Sequence, residues 1–131
     1  MTETPSGPAD LELEKAARAL ASARVCAEAG IYDAAVSRAY YAVFHAASAL
    51  LASIGRSVRT HDGLRSAIGE HFIRPGTIPP RFGRLLARIA ADRNDADYNA
   101  AATFTAEDAQ ETIAAAAELL ETAAQRVRAP A

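Results

Sequence analysis

Cysteine and lysine each occur once in these 131 residues, and aromatic side chains make up only 6% of them. A single thiol, Cys26, excludes an internal disulfide. Its place within a helical pattern marks it as a small packing residue rather than a nucleophile. The three histidines, His45, His61 and His71, are nowhere four residues apart and lie far from the cysteine, so no metal site is expected. A phosphate loop, a serine elbow and a glycine-rich turn between strand and helix are all missing, and no cofactor is expected. Long apolar runs are missing too. The longest weakly polar stretch, Ala39 to Ile54, contains His45 and is too short to cross a bilayer. The opening MTETPSGPAD has neither the basic region nor the apolar core of a signal peptide. A cytoplasmic protein with no membrane association is the expectation. The formal net charge of −2 excludes a broad basic face, and with it binding of nucleic acid by charge alone.

What remains is rich in alanine and poor in β-branched runs, a composition that favours packed helices. There is no strand alternation and no internal repeat of 20 to 50 residues. The length fits one domain, over residues 10–128, with a loose tail at 1–9 and a short one at 129–131. Basic residues crowd the middle: Arg56, Arg59, Arg65, Arg74, Arg81, Arg84, Arg88 and Arg93. Arginine forks suit phosphate, but an Ala- and Arg-rich coding bias accounts for them equally well.

The chain is organised around Asp33 to Ile54, its strongest helix signal. One apolar stripe is Val36, Tyr40, Val43, Ala47, Leu50 and Ile54; a second is Tyr41, Phe44, Ser48 and Leu51. Two stripes place neighbours around most of the circumference. They also exceed what a monomeric bundle of this size would cover, so a homodimer is expected. Between them lies a polar row, Arg38, Tyr41, His45 and Ser48. Such groups on a buried helix need partners or a use.

A first helix is predicted over Leu11–Ala29, capped by Asp10, with Leu13, Ala17, Leu20 and Ala27 inward and Gly30 as its stop. The short link to the second helix predicts an antiparallel hairpin, and Gly55 ends that second helix in turn. Thr60 or Asp62 caps a third, short helix from about Gly63 to Ile73, with Leu64, Ile68 and Phe72 inward. Gly63 and Gly69 weaken it by about 1 kcal/mol each relative to Ala. After a proline-rich turn, a fourth helix from about Pro80 to Asp92 buries Phe82, Leu85, Leu86 and Ile89. Arg93 continues that apolar stripe. The turn formers of Arg93-Asn94-Asp95-Ala96-Asp97-Tyr98-Asn99 predict that the helix frays or breaks there. Thr105 with Asp108 predicts a capping box for a last helix to about Arg128, with Ile113, Ala116, Leu120, Ala123 and Val127 inward. The fold class is therefore all-α: an antiparallel up-and-down bundle of four main helices plus one short helix.

Three stretches, SRAYYAVFHAASALL, the His-Asp-Gly at 61–63 and RNDADY, resemble the HEPN domain (higher eukaryote and prokaryote nucleotide-binding), in its small, stand-alone prokaryotic branch. The likeness spans about residues 10 to 128. It implies a homodimer with a composite cleft and association with RNA or a nucleotide. It also implies a place in a toxin–antitoxin-like system, with a minimal nucleotidyltransferase antitoxin as partner. Many relatives are metal-independent ribonucleases in which an Arg, followed after four to six residues by a His, holds phosphate while the His moves a proton. Here the corresponding positions after Arg93 hold Tyr98, Asn99 and Ala100. A tyrosine of ordinary acidity is ionised to roughly one part in a thousand at neutral pH, and is a poor base. The resemblance therefore implies weak or no cleavage. In toxin-like relatives a Tyr two residues after the His is a target for nucleotidyl transfer; position 100 here is Ala.

The candidate catalytic set is Arg93, Tyr98 and His45, and the candidate substrate- or nucleotide-binding set is Arg93, Asn94, Asp97, Arg38 and Tyr41. Arg93 has three readings: an ion-pair partner of Asp95 or Asp97, a phosphate binder, or part of a rearranged ribonuclease site using His45 or another histidine. His61 is read as helping to cap the third helix.

Overall fold

The computed structural model describes residues 7–129, so most of the expected N-terminal tail and the last two residues lie outside the described part. Among the described residues five α-helices follow one another: α1 (Pro8–Glu28), α2 (Tyr32–Ser53), α3 (His61–Ile68), α4 (Arg81–Tyr98) and α5 (Ala106–Arg128). A single π-helical turn, Gly69–Ile73, extends α3. No strand occurs among the described residues, and none of the helices is long and apolar enough to cross a membrane.

α1 begins before Asp10. Gly7, in an extended conformation, stands at the N-cap, Pro8 fills the first turn where its missing N–H costs nothing, and Asp10 adds a negative charge to that turn. The buried face is Leu13, Ala16, Leu20, Ala23 and Ala27. Ala17, expected inward, is exposed, because the seam turns on Ala16 and keeps a strict three-four alternation. Gly30, at φ 79°, closes the helix. Its N–H donates to the Ala27 carbonyl and the next N–H, of Ile31, to that of Cys26, the paired bonds of a Schellman stop. The same pair of bonds recurs at Gly55 and Arg56.

Among the described residues, α2 is the only helix that touches all four others. Ala35, Ala39, Ala42, Ala46 and Ala49 are all buried on it. Small side chains at so many contacts let α1, α4 and α5 approach closely. Of the first expected stripe only Ile54 is exposed; the second, apart from Leu51, is half-buried. Leu64, Ile68 and Phe72 point inward as expected, and the π turn, closed by Arg74 N–H on the Gly69 carbonyl, carries Phe72.

α4 departs from expectation. It does not break at Arg93 but runs on to Tyr98, so that RNDADY is helical. Tertiary contacts override the local turn preference: Arg93 packs on α2, and its guanidinium lies 3.6 Å from the Asp97 carboxylate one turn on. The chain turns only at Asn99, whose side chain accepts from the Ala101 N–H. α5 then opens with both halves of the capping box, Thr105 accepting from Asp108 N–H and Asp108 from Thr105 N–H. Ile113, Ala116 and Ala123 are buried on α5, Leu120 and Val127 partly so, and an Arg81–Glu118 ion pair ties it to the start of α4.

Gly63 has a packing role that its helix propensity hides. A Cβ there would lie 2.6 Å from Val58 Cγ1 and 2.7 Å from Thr60 Oγ1, so only glycine lets the connector fold over the first turn of α3. Gly63→Ala is expected to destabilise the protein by about 1–3 kcal/mol in urea unfolding. Gly69→Ala, with open space around it and a helical φ of −58°, is expected to be neutral or stabilising by up to about 1 kcal/mol.

Candidate functional site: an arginine–histidine–tyrosine groove

Tyr40 lies in the middle of α2 and is almost fully buried, so its hydroxyl must find a partner. It finds His61 Nδ1 at the start of α3. The two rings stack, with centroids 5.3 Å apart and planes 16° from parallel, and Phe44 packs beside them with its ring centroid 5.0 Å from that of the imidazole. From α4 the Arg93 guanidinium lies over the Tyr40 ring at 4.7 Å and reaches Tyr41 at 5.9 Å. One terminal nitrogen of Arg93 is 3.4 Å from the same His61 Nδ1. Three helices thus converge on one imidazole nitrogen.

These groups form one wall of a groove of about 300 Å³ lined by Tyr40, His61, Asp62, Arg65, Arg93 and Asn94, with alanines of α4 as its floor. Arg65 is paired with Asp62 at 2.7 Å. The Arg93 side chain is only 14% exposed, and its Nε–H is buried without an acceptor among the described residues. Leaving a buried donor unmade costs about 1–3 kcal/mol. Burial lowers the His61 pKa from its ordinary value of 6.5; the Arg93 charge lowers it further, and Asp62 partly opposes them. The imidazole is therefore neutral at physiological pH. One residue before Arg93, burial raises the Asp92 pKa, Arg88 opposing it while Asp95 and Asp108 add to it.

Of the residues singled out in the sequence, Arg93, Asn94, Asp97, Tyr41 and Arg38 come together. Arg38 stacks on Tyr41 at 4.6 Å and so extends the cationic and aromatic surface beside Arg93. His45 and Tyr98 are not part of the groove wall. His45 turns to α1, where its Nδ1 meets the Glu12 carboxylate at 2.7 Å, and Tyr98 is 75% exposed at the end of α4. His61 is not the helix cap: Thr60 is, accepting from Gly63 N–H at 3.0 Å. Sequence reasoning assigned Tyr40 to the core and His61 to a cap, and thereby missed both as groove residues. The His-Asp-Gly string was the available signal, since a glycine that must stay small beside a histidine marks a backbone held in place for its neighbours.

An all-helical bundle with an arginine, a histidine and a tyrosine converging from three helices defines a small helical module with a polar groove. The sequence matches the HEPN domain over residues 9–127, and the chain belongs to that family. It is 33% identical to a UPF0332 protein of Gloeobacter violaceus over 85% of this chain and 89% of that one. It is 36% identical to a Methanocaldococcus jannaschii protein named "Putative toxin MJ0605", over 66% of this chain and 64% of that one. A UPF0332 protein of Thermotoga maritima is 33% identical over 60% of each chain. These relatives fit the small prokaryotic branch of the family.

The lowered His61 pKa has a sign that can be measured. Unfolded, this histidine takes up a proton near its ordinary value of 6.5; folded, it resists until lower pH. The unfolded state then binds more protons, so the contribution of His61 to stability is full above about pH 6.5 and is lost as pH falls from there towards the lowered folded value. The melting temperature should drop between about pH 7.5 and about pH 5.5, and His61→Gln should make that drop smaller. Wild-type and variant curves of equal slope would refute the assignment.

Proposed function

We propose that this HEPN protein serves a toxin–antitoxin-like or nucleotide-associated system, taking the phosphate of RNA or a nucleotide on Arg93 and cleaving weakly or not at all. The observation that carries the reading is the Arg93 guanidinium. It is held against a buried tyrosine face beside a neutral histidine, in the wall of a groove, with one donor left without an acceptor among the described residues. Arginine in such a setting forks onto a phosphate at little ordering cost. Asn94 and Arg65 add donors at the rim, and Asp97 steadies Arg93 from one turn away. The likeness to a relative named as a toxin supports the toxin-like setting. In this reading the chain works in the cytoplasm as a homodimer, the half-buried Tyr41, Phe44, His45 and Ser48 of α2 facing a second copy. A minimal nucleotidyltransferase is its protein partner.

A second reading, an endoribonuclease working without metal, is favoured by one distance: a histidine from outside the usual motif lies 3.4 Å from Arg93. That histidine is His61, not His45. In this reading His61 takes the proton of a ribose 2′-hydroxyl while Arg93 holds the adjacent phosphate.

Fluorescence anisotropy with a labelled single-stranded oligoribonucleotide and with labelled AMP tests the first reading. Arg93→Ala should weaken binding by about tenfold or more, and the exposed Arg84→Ala should not. Equal affinity in wild type and Arg93→Ala would refute it. For the second reading, the protein is incubated with RNA in chelator and the ends are examined. Cyclic phosphates that vanish in His61→Ala and persist in His45→Ala would establish cleavage. Light scattering at micromolar concentration reads the dimer directly.

A further inference from the structure

The partners of His61 Nδ1 fix more than the position of the ring. A guanidinium has only donors, so the Arg93 nitrogen 3.4 Å from Nδ1 requires that Nδ1 carry a lone pair, not a proton. The Tyr40 hydroxyl, bonded to the same nitrogen, then donates to it. With two donors on Nδ1, the proton of the neutral imidazole resides on Nε2. That nitrogen has no hydrogen-bond partner among the described residues, and His61 lines the groove. We propose that Tyr40 locks His61 as the Nε2–H tautomer, making it an uncharged donor that binds a phosphate oxygen alongside Arg93 rather than a base that removes a proton. The proposal rests on the phosphate-binding reading of the groove and decides against the cleavage reading. An imidazole whose free nitrogen already bears its proton, and whose other nitrogen is engaged twice, has no lone pair to offer a 2′-hydroxyl.

The charges facing the ring are consistent with this role. On α2 stands Tyr40; on α3, Asp62 and Arg65; on α4, Arg93, itself paired with Asp97. Each of these arginines has one carboxylate beside it. A phosphate then meets a wall of oriented N–H donors, and His61 adds one more without requiring a second proton. Tyr40 is a positioning residue, acting through His61.

Long-range proton–nitrogen correlation spectra of histidine-labelled full-length protein read the tautomer. In wild type, His61 Nδ1 should appear as a bare ring nitrogen and Nε2 as protonated. Tyr40→Phe, which keeps the buried ring and removes only the hydroxyl, should give a mixture of tautomers and move the His61 titration up towards the ordinary histidine value. Titration with inorganic phosphate, AMP and a short oligoribonucleotide should shift Nε2 and leave Nδ1 bare. Comparison of the three ligands separates a free phosphate or nucleotide from a strand as the source of the bound group. Binding of the oligoribonucleotide by wild type should change less than twofold between about pH 7.5 and about pH 6.5, because neither the imidazole nor the phosphodiesters take up a proton there.

A protonated Nδ1 in wild type, or a His61 spectrum unaltered by Tyr40→Phe, would overturn the lock. Ligand binding that leaves Nε2 unmoved would overturn the donor role. Failure of all three ligands to bind would overturn the phosphate reading of the groove and the donor role with it, while the lock would still be judged on the free protein.

Discussion

One nearly buried cation set against a tyrosine ring is the constraint to which the middle of this bundle conforms. Arg93 lies over Tyr40 at 4.7 Å, deep enough that its Nε–H has no acceptor among the described residues, and shares His61 with the Tyr40 hydroxyl. For that to happen α4 must stay helical through a string of turn formers, α3 must begin at His61, and α2 must present Tyr40 from its centre. Cation–π contact and charge-assisted hydrogen bonding offset the desolvation that such a position costs. The surrounding packing is mostly alanine, which supplies little apolar area per residue but lets four helices close on α2.

The electrostatics of the groove follow from its place in the fold. Burial disfavours the charged imidazole, and Arg93 adds to that effect, so the nearest titratable group stays neutral beside a fixed positive charge. A neutral ring with one engaged and one free nitrogen is a directional element, whereas an imidazolium would be one more charge in a crowded place. Asp62 pairs with Arg65 and Asp97 with Arg93. The chain as a whole carries a formal charge of only −2.

Most of the fold was legible in the sequence because helical periodicity and stop signals are local. Gly30 and Gly55 end their helices, Thr105 and Asp108 form the box, and Leu64, Ile68 and Phe72 point inward, all as the spacing indicates. The errors share a physical origin. Local preference at Arg93–Asn99 favoured a turn, and contacts with α2 outweighed it. Periodicity placed Tyr40 in the core, which is correct, but it carries no information about where a buried hydroxyl points. His45 seemed well placed on its polar row until Glu12, on a different helix, engaged it. Pairings across helices decide such roles, and a one-dimensional pattern cannot display them. Membership in the HEPN family was readable from three short strings because they include residues of α2, α3 and α4 that meet in space.

The π turn after α3 holds one residue more than an α-helical turn would, and the surplus is absorbed before the proline-rich loop that leads to α4. The stretch of chain between His61 and Arg93 thus contains a π turn and a proline-rich loop, while α3 and α4 both pack against α2. His61 lies 32 positions upstream of Arg93 along the chain yet 3.4 Å from it in space, so any pattern that fixes a short gap between the two will pass over the pair. For bundles of this kind, the interval to hold constant is the one measured through space, between α3 and α4.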